Sequence, residues 1–204
     1  MRVLDLFAGT GSATQAFEHR GHQVIRVEVD KQFVADYRDV MELDWQSLGH
    51  FDFIWASPPC TAFSVASIGH YWNKDGTPKH AGAQEGLKLV QQAITIIKGL
   101  KPTYGFIIEN PRGMLRKMAI MQEFDKTTVT YCQYGDSRMK PTDLFGFVKG
   151  WTPKAPCRNS DSCHERAPRG SRTGTQGIQG AKNRSKIPYE LGLEICQAIE
   201  RHAV

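Results

Sequence analysis

Apolar and polar positions along this chain follow two rhythms. Short apolar runs with β-branched or aromatic residues stand at residues 2–7 ("RVLDLF"), 22–29 ("HQVIRVEV"), 51–56 ("FDFIWA") and 104–110 ("YGFIIEN"). These read as strands. Between them the spacing lengthens to that of helices. The turn "AGTGS" leads into a helix carrying Ala13, Ala16 and Phe17, with Ser12 placed to cap it and Gly21 to end it. A second helix is predicted from Asp30, because Phe33, Tyr37 and Val40 recur at helical spacing. The strongest amphipathic pattern is "AGAQEGLKLVQQAITIIKGL", residues 81–100. Strands alternating with helices predict right-handed crossovers and an α/β fold, a mostly parallel sheet with helices on both faces.

Farther along, "TTVTYCQYG" and "DLFGFV" read as two more strands flanking "DSRMKPT". Residues 150–186 then lose all apolar periodicity, and a stretch that long inside a domain is functional or disordered. The pattern resumes in "PYELGLEICQAIERHA", a final helix led by Pro188 with Leu191, Ile195 and Ile199 on one face. The chain divides into a catalytic and cofactor-binding part at 1–148, an irregular segment at 149–186, and a closing helix at 187–204 that packs back on the first part.

Composition adds modest constraints. At 204 residues the chain suits one well-buried domain, and 40% hydrophobic with 23% charged residues is ordinary for a globular protein. No apolar run is long enough for a membrane span, and the start shows no signal-peptide layout, which predicts a cytoplasmic protein. Five scattered cysteines suit reduced thiols better than a disulfide framework. The net charge of +5 is concentrated: Lys149 to Lys186 holds nine Lys/Arg against Asp161 and Glu165. That segment is a candidate for contact with an anionic polymer, although solvated basic loops are common.

The chemistry-bearing residues fall at the carboxyl ends of the predicted parallel strands, where ligands of open sheets bind. Asp5 and the bare backbone of Gly9 and Gly11 form the first turn. Glu28 ends the next strand, placed to accept hydrogen bonds from ribose hydroxyls. The third glycine of a dinucleotide fingerprint is missing and Asp5 would repel a pyrophosphate, so the turn suits a nucleoside ligand with an ammonium group, such as S-adenosylmethionine. Cys60 follows "FDFIWASPP" and is either a structural thiol at a strand end or a nucleophile held out by stiff prolines. Glu109 ends the strand "YGFIIEN", and Arg138 and Lys140 lie in "DSRMKPT".

These residues together resemble the DNA cytosine-5 methyltransferase family. "DLFAGTGS" is similar to its first cofactor motif, "VEVDK" to its ribose-binding acid, Leu43-Asp44 to its adenine-contacting acid, "SPPCTAFS" to its nucleophile motif and "ENP" to its catalytic glutamate. "RMK" is similar to its Arg-x-Arg motif. The resemblance covers residues 3–146 and implies a Rossmann-like methyltransferase fold, S-adenosylmethionine held by Asp5, Phe7, Ala8, Gly9, Gly11, Glu28, Val29, Asp44 and Pro59, and catalysis by Cys60, Glu109, Arg138 and Lys140. Cys60 in place of an aromatic residue argues for carbon rather than nitrogen methylation.

The implied substrate is DNA, double-stranded, with the target base flipped out of the helix. Cytosine in RNA, and a non-catalytic nucleic-acid-binding protein on the same fold, are the alternatives. The chain departs from the family at Pro111, where valine is usual, and at Lys140, which cannot fork to an acceptor as arginine does. The large target-recognition domain is missing. Its work is therefore expected of Ser64 and of the basic segment through Arg158, Arg166, Arg169 and Arg172, with a short target sequence. "VASIGHYWNKDGTPKHAG" after Cys60 is a candidate lid. No metal is assigned. Cys157, Cys163 and His164 could supply three zinc ligands, but the spacing is unusual and no fourth ligand is obvious, which leaves free cysteines as the default. The resemblance and the short length together suit a phage- or prokaryote-encoded enzyme.

Overall fold

A computed structural model describes residues 1–166 and 180–203. Its centre is one six-stranded sheet. In chain order the elements are β1 (Arg2–Leu6), α1 (Gln15–His19), β2 (Gln23–Val27), β3 (Phe53–Ala56), α2 (Ile68–Tyr71), α3 (Ala81–Leu100), β4 (Gly105–Pro111), β5 (Lys126–Thr130), β6 (Pro141–Val148), α4 (Ala181–Ser185) and α5 (Tyr189–Glu200). The sheet order is β2-β1-β3-β4-β6-β5. β2, β1, β3 and β4 run parallel, while β6 inserts antiparallel between β4 and β5. The carboxyl ends of β1 to β5 and the amino end of β6 therefore meet along one edge.

Period-two side chains split the core between the two faces. Leu4, Leu6, Ile54, Ala56 and Ile108 point to the face covered by α3 through Val90, Ala93, Ile94 and Ile97. Val3, Phe53, Trp55 and Ile107 point to the other face, closed by Phe17 of α1 and Leu191, Ile195 and Ile199 of α5. Gly192 is where α5 comes closest to the turn before α1; a Cβ there would stand 2.7 Å from the Ala13 carbonyl oxygen. The mostly parallel α/β architecture agrees with the sequence patterns. Among the described residues no helix is long and apolar enough to cross a membrane.

Four local expectations fail. The strand expected over "TTVTYCQYG" stops at Thr130 and continues as a 3-10 turn, Tyr131–Tyr134, and Ala13 lies in the turn before α1 rather than in it. No helix starts at Asp30: residues 31–44 form turns, and Tyr37 lies against the open side of β2 instead. There the Tyr37 N–H donates to Arg26 O at 3.1 Å and the Glu28 N–H to Tyr37 O at 3.0 Å. Covering an edge strand outweighs the helical spacing. Ser12 does not cap α1, whose N-cap is Thr14; the Ser12 hydroxyl accepts from the Ile187 N–H at 3.0 Å.

Candidate active site

The site begins in the turn after β1. Phe7, Gly9 and Gly11 all adopt positive φ (62°, 51° and 71°), a tight reversal that brings backbone rather than side chain to the sheet edge. A Cβ on Gly9 would meet nothing within 4 Å, so open space lies beside that backbone. Glu28 braces the turn: its Oε2 accepts from the Gly9 N–H at 2.7 Å and its Oε1 from the Asp30 N–H at 2.8 Å. Each oxygen keeps a lone pair for a ligand hydroxyl. Beside it Val29 is 68% exposed, an apolar surface next to an acid. Asp44 is exposed, at the head of a single 3-10 turn spanning Trp45–Leu48. Ala8 is buried and Pro59 exposed.

Asp5 occupies a different position from the one its sequence context suggests. It has no exposed surface; Oδ2 accepts from the Thr14 hydroxyl at 2.6 Å, and buried Oδ1 has no partner among the described residues. Burial pushes its carboxyl up to about 7. Asp5 thus fixes the turn to the start of α1, from beneath, rather than offering a charge to a ligand.

Cys60 stands half-buried after β3. Its carbonyl accepts the N–H groups of Phe63 and Ser64, each at 2.9 Å, which curls the chain sharply behind the thiol. The next layer locks that curl. The Asn110 side-chain amide donates to Pro58 O at 3.0 Å, the Met114 N–H to Phe63 O at 2.7 Å and the Trp72 indole to Ala62 O at 2.6 Å. Trp72 thereby anchors the candidate lid. Gly113 has no room for a side chain, since a Cβ would sit 2.1 Å from Phe63 O.

Glu109, at the end of β4, is 6% exposed and accepts from the Tyr131 hydroxyl at 3.0 Å. Burial raises its pKa, partly offset by Lys140 and by hydrogen bonds from Tyr131 and Ser57. Burial also raises the Cys60 thiol; the Glu109 charge adds to that rise, and Lys140 opposes it. Three titratable groups are therefore close enough to act on one another, a feature of reactive sites.

Lys140 and Arg138 part company. Lys140, at φ 28°, lies over the Tyr131 ring at 4.5 Å and donates to Arg184 O at 3.0 Å. Arg138 is 4% exposed and grips Asp136 with its Nε at 2.8 and 3.0 Å, while its Nη1 reaches the Asn183 and Arg184 carbonyls of α4 at 3.5 and 3.4 Å. With its fork so engaged, Arg138 anchors α4 to the loop before β6. Lys140 and Arg184 both act to lower the Cys60 thiol, Lys140 the more strongly.

Of the expected DNA contacts, Ser64 shares a hydrogen bond with Ser67 at 2.7 Å in the curl behind Cys60. Arg158 and Arg166 are exposed, and Arg166 donates to Ser160 O at 2.8 Å. Arg169 and Arg172 lie outside the described residues. Cys157, Cys163 and His164 come together, joined by Cys132. Spacing did not single out Cys132, Tyr131, Asn110 or Thr14, all of which support the site. Only the aromatic run "TYCQY" and the Asn of "ENP" hinted at them.

One reversed strand in a sheet with its chemistry at the parallel ends defines a Rossmann-like fold of the kind methyltransferases use. The Entamoeba histolytica methyltransferase EhMeth shares that fold with a TM-score of 0.50 at 8% identity, covering 72% of this chain and 52% of that one. The family model for C-5 cytosine-specific DNA methylase matches residues 1–128. A "Probable DNA (cytosine-5)-methyltransferase" of Frog virus 3 is 35% identical over 80% of this chain and 78% of that protein. "Type II methyltransferase M.HgiCI" of Herpetosiphon aurantiacus is 32% identical over 56% of this chain, but only 28% of its own length is spanned. The chain belongs to the C-5 cytosine-specific DNA methylase family, and its enzyme class is DNA (cytosine-5)-methyltransferase.

Proposed function

We propose that this enzyme methylates C5 of cytosine in double-stranded DNA through a covalent bond between Cys60 Sγ and C6 of a flipped-out base. The observation that carries the proposal is the electrostatic linkage of Cys60, Glu109 and Lys140 on the edge that also holds the open glycine turn.

The turn fits S-adenosylmethionine: free space at Gly9, an acid at Glu28 with lone pairs to spare, and the exposed apolar Val29 suit a nucleoside. Phe7, Ala8, Gly9 and Gly11 would hold it along the turn, with Glu28, Val29, Asp44 and Pro59 around it. When bound, it supplies an electrophilic methyl group on a sulfonium.

The chain's own residues prepare the base. C5 of cytosine is a weak nucleophile until C6 carries a covalent substituent. Cys60, neutral at rest because burial holds its proton, gives that proton to water as the base docks, and the thiolate Sγ adds to C6. Glu109, its pKa raised by burial, presents a proton to N3 and holds the charge that spreads through the ring. Once C5 is methylated, its proton passes to water and the C–H electron pair forms the C5–C6 double bond as the C6–S bond breaks. Cys60 leaves as a thiolate and takes a proton back from water, and Glu109 recovers its proton from N3. Lys140 steadies the negative charge on Cys60 at both the attack and the departure.

Labelled cofactor offered with duplex DNA or with tRNA tests the reading. Label on 5-methylcytosine in the duplex supports it; label confined to tRNA, or none in either, defeats it.

A further inference from the structure

We propose that Cys132, Cys157, Cys163 and His164 bind one zinc ion, in a closed structural site that fastens the start of the basic segment to the catalytic domain. Their four ligand atoms lie within 4.8 Å of one another. Cys132 Sγ stands 3.6 Å from Cys163 Sγ and 3.1 Å from Cys157 Sγ. His164 Nδ1 is 3.6 Å from both Cys157 Sγ and Cys163 Sγ. A tetrahedral ion with zinc–sulfur bonds of about 2.3 Å and zinc–nitrogen bonds of about 2.0 Å has edges of about 3.8 Å between sulfurs and about 3.5 Å between sulfur and nitrogen. Three of the four separations fall close to those edges; the Cys132–Cys157 separation would open slightly around an ion.

The surroundings point the same way. Three thiols are weak hydrogen-bond donors, so their mutual contacts hold the cluster together only weakly. The His164 ring turns Nδ1 inward, 3.6 Å from two of the sulfurs, and so presents it as the fourth ligand atom. The backbone is already held in place from outside. The Cys157 N–H donates to the Thr130 hydroxyl at 2.9 Å, the Glu165 N–H to Ser137 O at 2.8 Å, and the Gln133 side-chain amide approaches Cys163 Sγ at 3.4 Å.

Three thiolates and one imidazole suit zinc, and four protein ligands leave no open position for chemistry. Binding releases three thiol protons and leaves the site with one net negative charge. Cys132 follows directly on Tyr131, the partner of Glu109, in the 3-10 turn Tyr131–Tyr134. The ion would thus fix residues 157–164 beside the catalytic edge and set where Arg158 and Arg166 emerge.

The full chain, expressed in zinc-supplemented medium and purified under reducing conditions without chelator, should carry about one zinc per chain by elemental analysis. Cobalt exchange should give the intense absorption of tetrahedral thiolate-bound Co(II). Cys163→Ser alters an exposed residue and should fold, by circular dichroism, yet lose zinc to a competing chelator at least about tenfold more readily, since even outer-sphere partners are worth that much. Cys132→Ser should behave likewise. Metal-free wild-type protein, a Cys132–Cys157 disulfide in its peptide map, or zinc retained equally by both variants would overturn the proposal.

Discussion

Burial holds the Cys60 thiol and the Glu109 carboxyl above their ordinary pKa values, and Lys140 pulls both back down. Replacing Lys140 by Met should therefore raise both. The pH dependence of Cys60 alkylation by iodoacetamide reads this directly: the onset should move to higher pH in Lys140→Met, and an unmoved or lowered onset would take Lys140 out of the account. Asp5 gives a second test at the same scale. Unfolded it titrates near 3.8, and folded at about 7, because it is buried beneath Thr14. Between those values the folded state keeps a proton the unfolded state has lost, so Asp5 erodes stability as pH rises through that window, and the penalty is complete above pH 7. Asp5→Asn keeps an acceptor for the Thr14 hydroxyl and removes the charge. Denaturant titrations should show the variant gaining on the order of 2–4 kcal/mol over wild type above pH 7 and nothing near pH 4. A loss at high pH would mean that the ionised carboxylate is needed. The sequence showed Asp5 only as an acid at a strand end; which way it faces depends on α1 closing over it.

Among elements, β4 and the loop after β3 act as one unit through Asn110, whose amide holds the Pro58 carbonyl two residues before Cys60. Asn110→Ala removes that buried bond and should cost about 1–3 kcal/mol in stability. It should also lower kcat while cofactor affinity, measured by calorimetry, stays near wild type, because the glycine turn after β1 is untouched. Equal losses in kcat and cofactor affinity would show that the two halves of the edge are not separable. Elements whose periodicity reports burial were legible in the sequence: 81–100 is predicted and observed as one helix, and "FDFIWA" and "YGFIIEN" as strands. The segment after Asp30 was misread because Phe33, Tyr37 and Val40 carry helical spacing, whereas the unpaired edge of β2 decides their conformation. An edge is a property of the finished sheet, so no local pattern contains it. The meeting of Cys132 with Cys157 was hidden for the same reason, since the turn that delivers Cys132 becomes a neighbour of residue 157 only after β6 has inserted.

For the whole molecule, the question is how a chain spanning 28% of the length of one type II relative engages DNA. Of the basic segment, residues 149–166 follow β6 and residues 181–185 form α4, whose carbonyls receive Arg138 and Lys140. Phosphate contacts position a protein and make its affinity fall with salt in proportion to their number. Changing Arg169 and Arg172 to Ala should weaken binding to a duplex and flatten the slope of log affinity against log salt by up to about 2, while cofactor affinity holds. An unchanged slope would move the DNA contacts elsewhere. The central claim remains the covalent role of Cys60. A duplex carrying 5-fluorocytosine at the target, incubated with enzyme and S-adenosylmethionine, tests it most directly, because fluorine cannot leave C5 as a proton does. A denaturation-resistant protein–DNA adduct should form, map to Cys60 by peptide mass spectrometry and be absent in Cys60→Ala. Undiminished C5 methylation of an ordinary duplex by Cys60→Ala would contradict that covalent role.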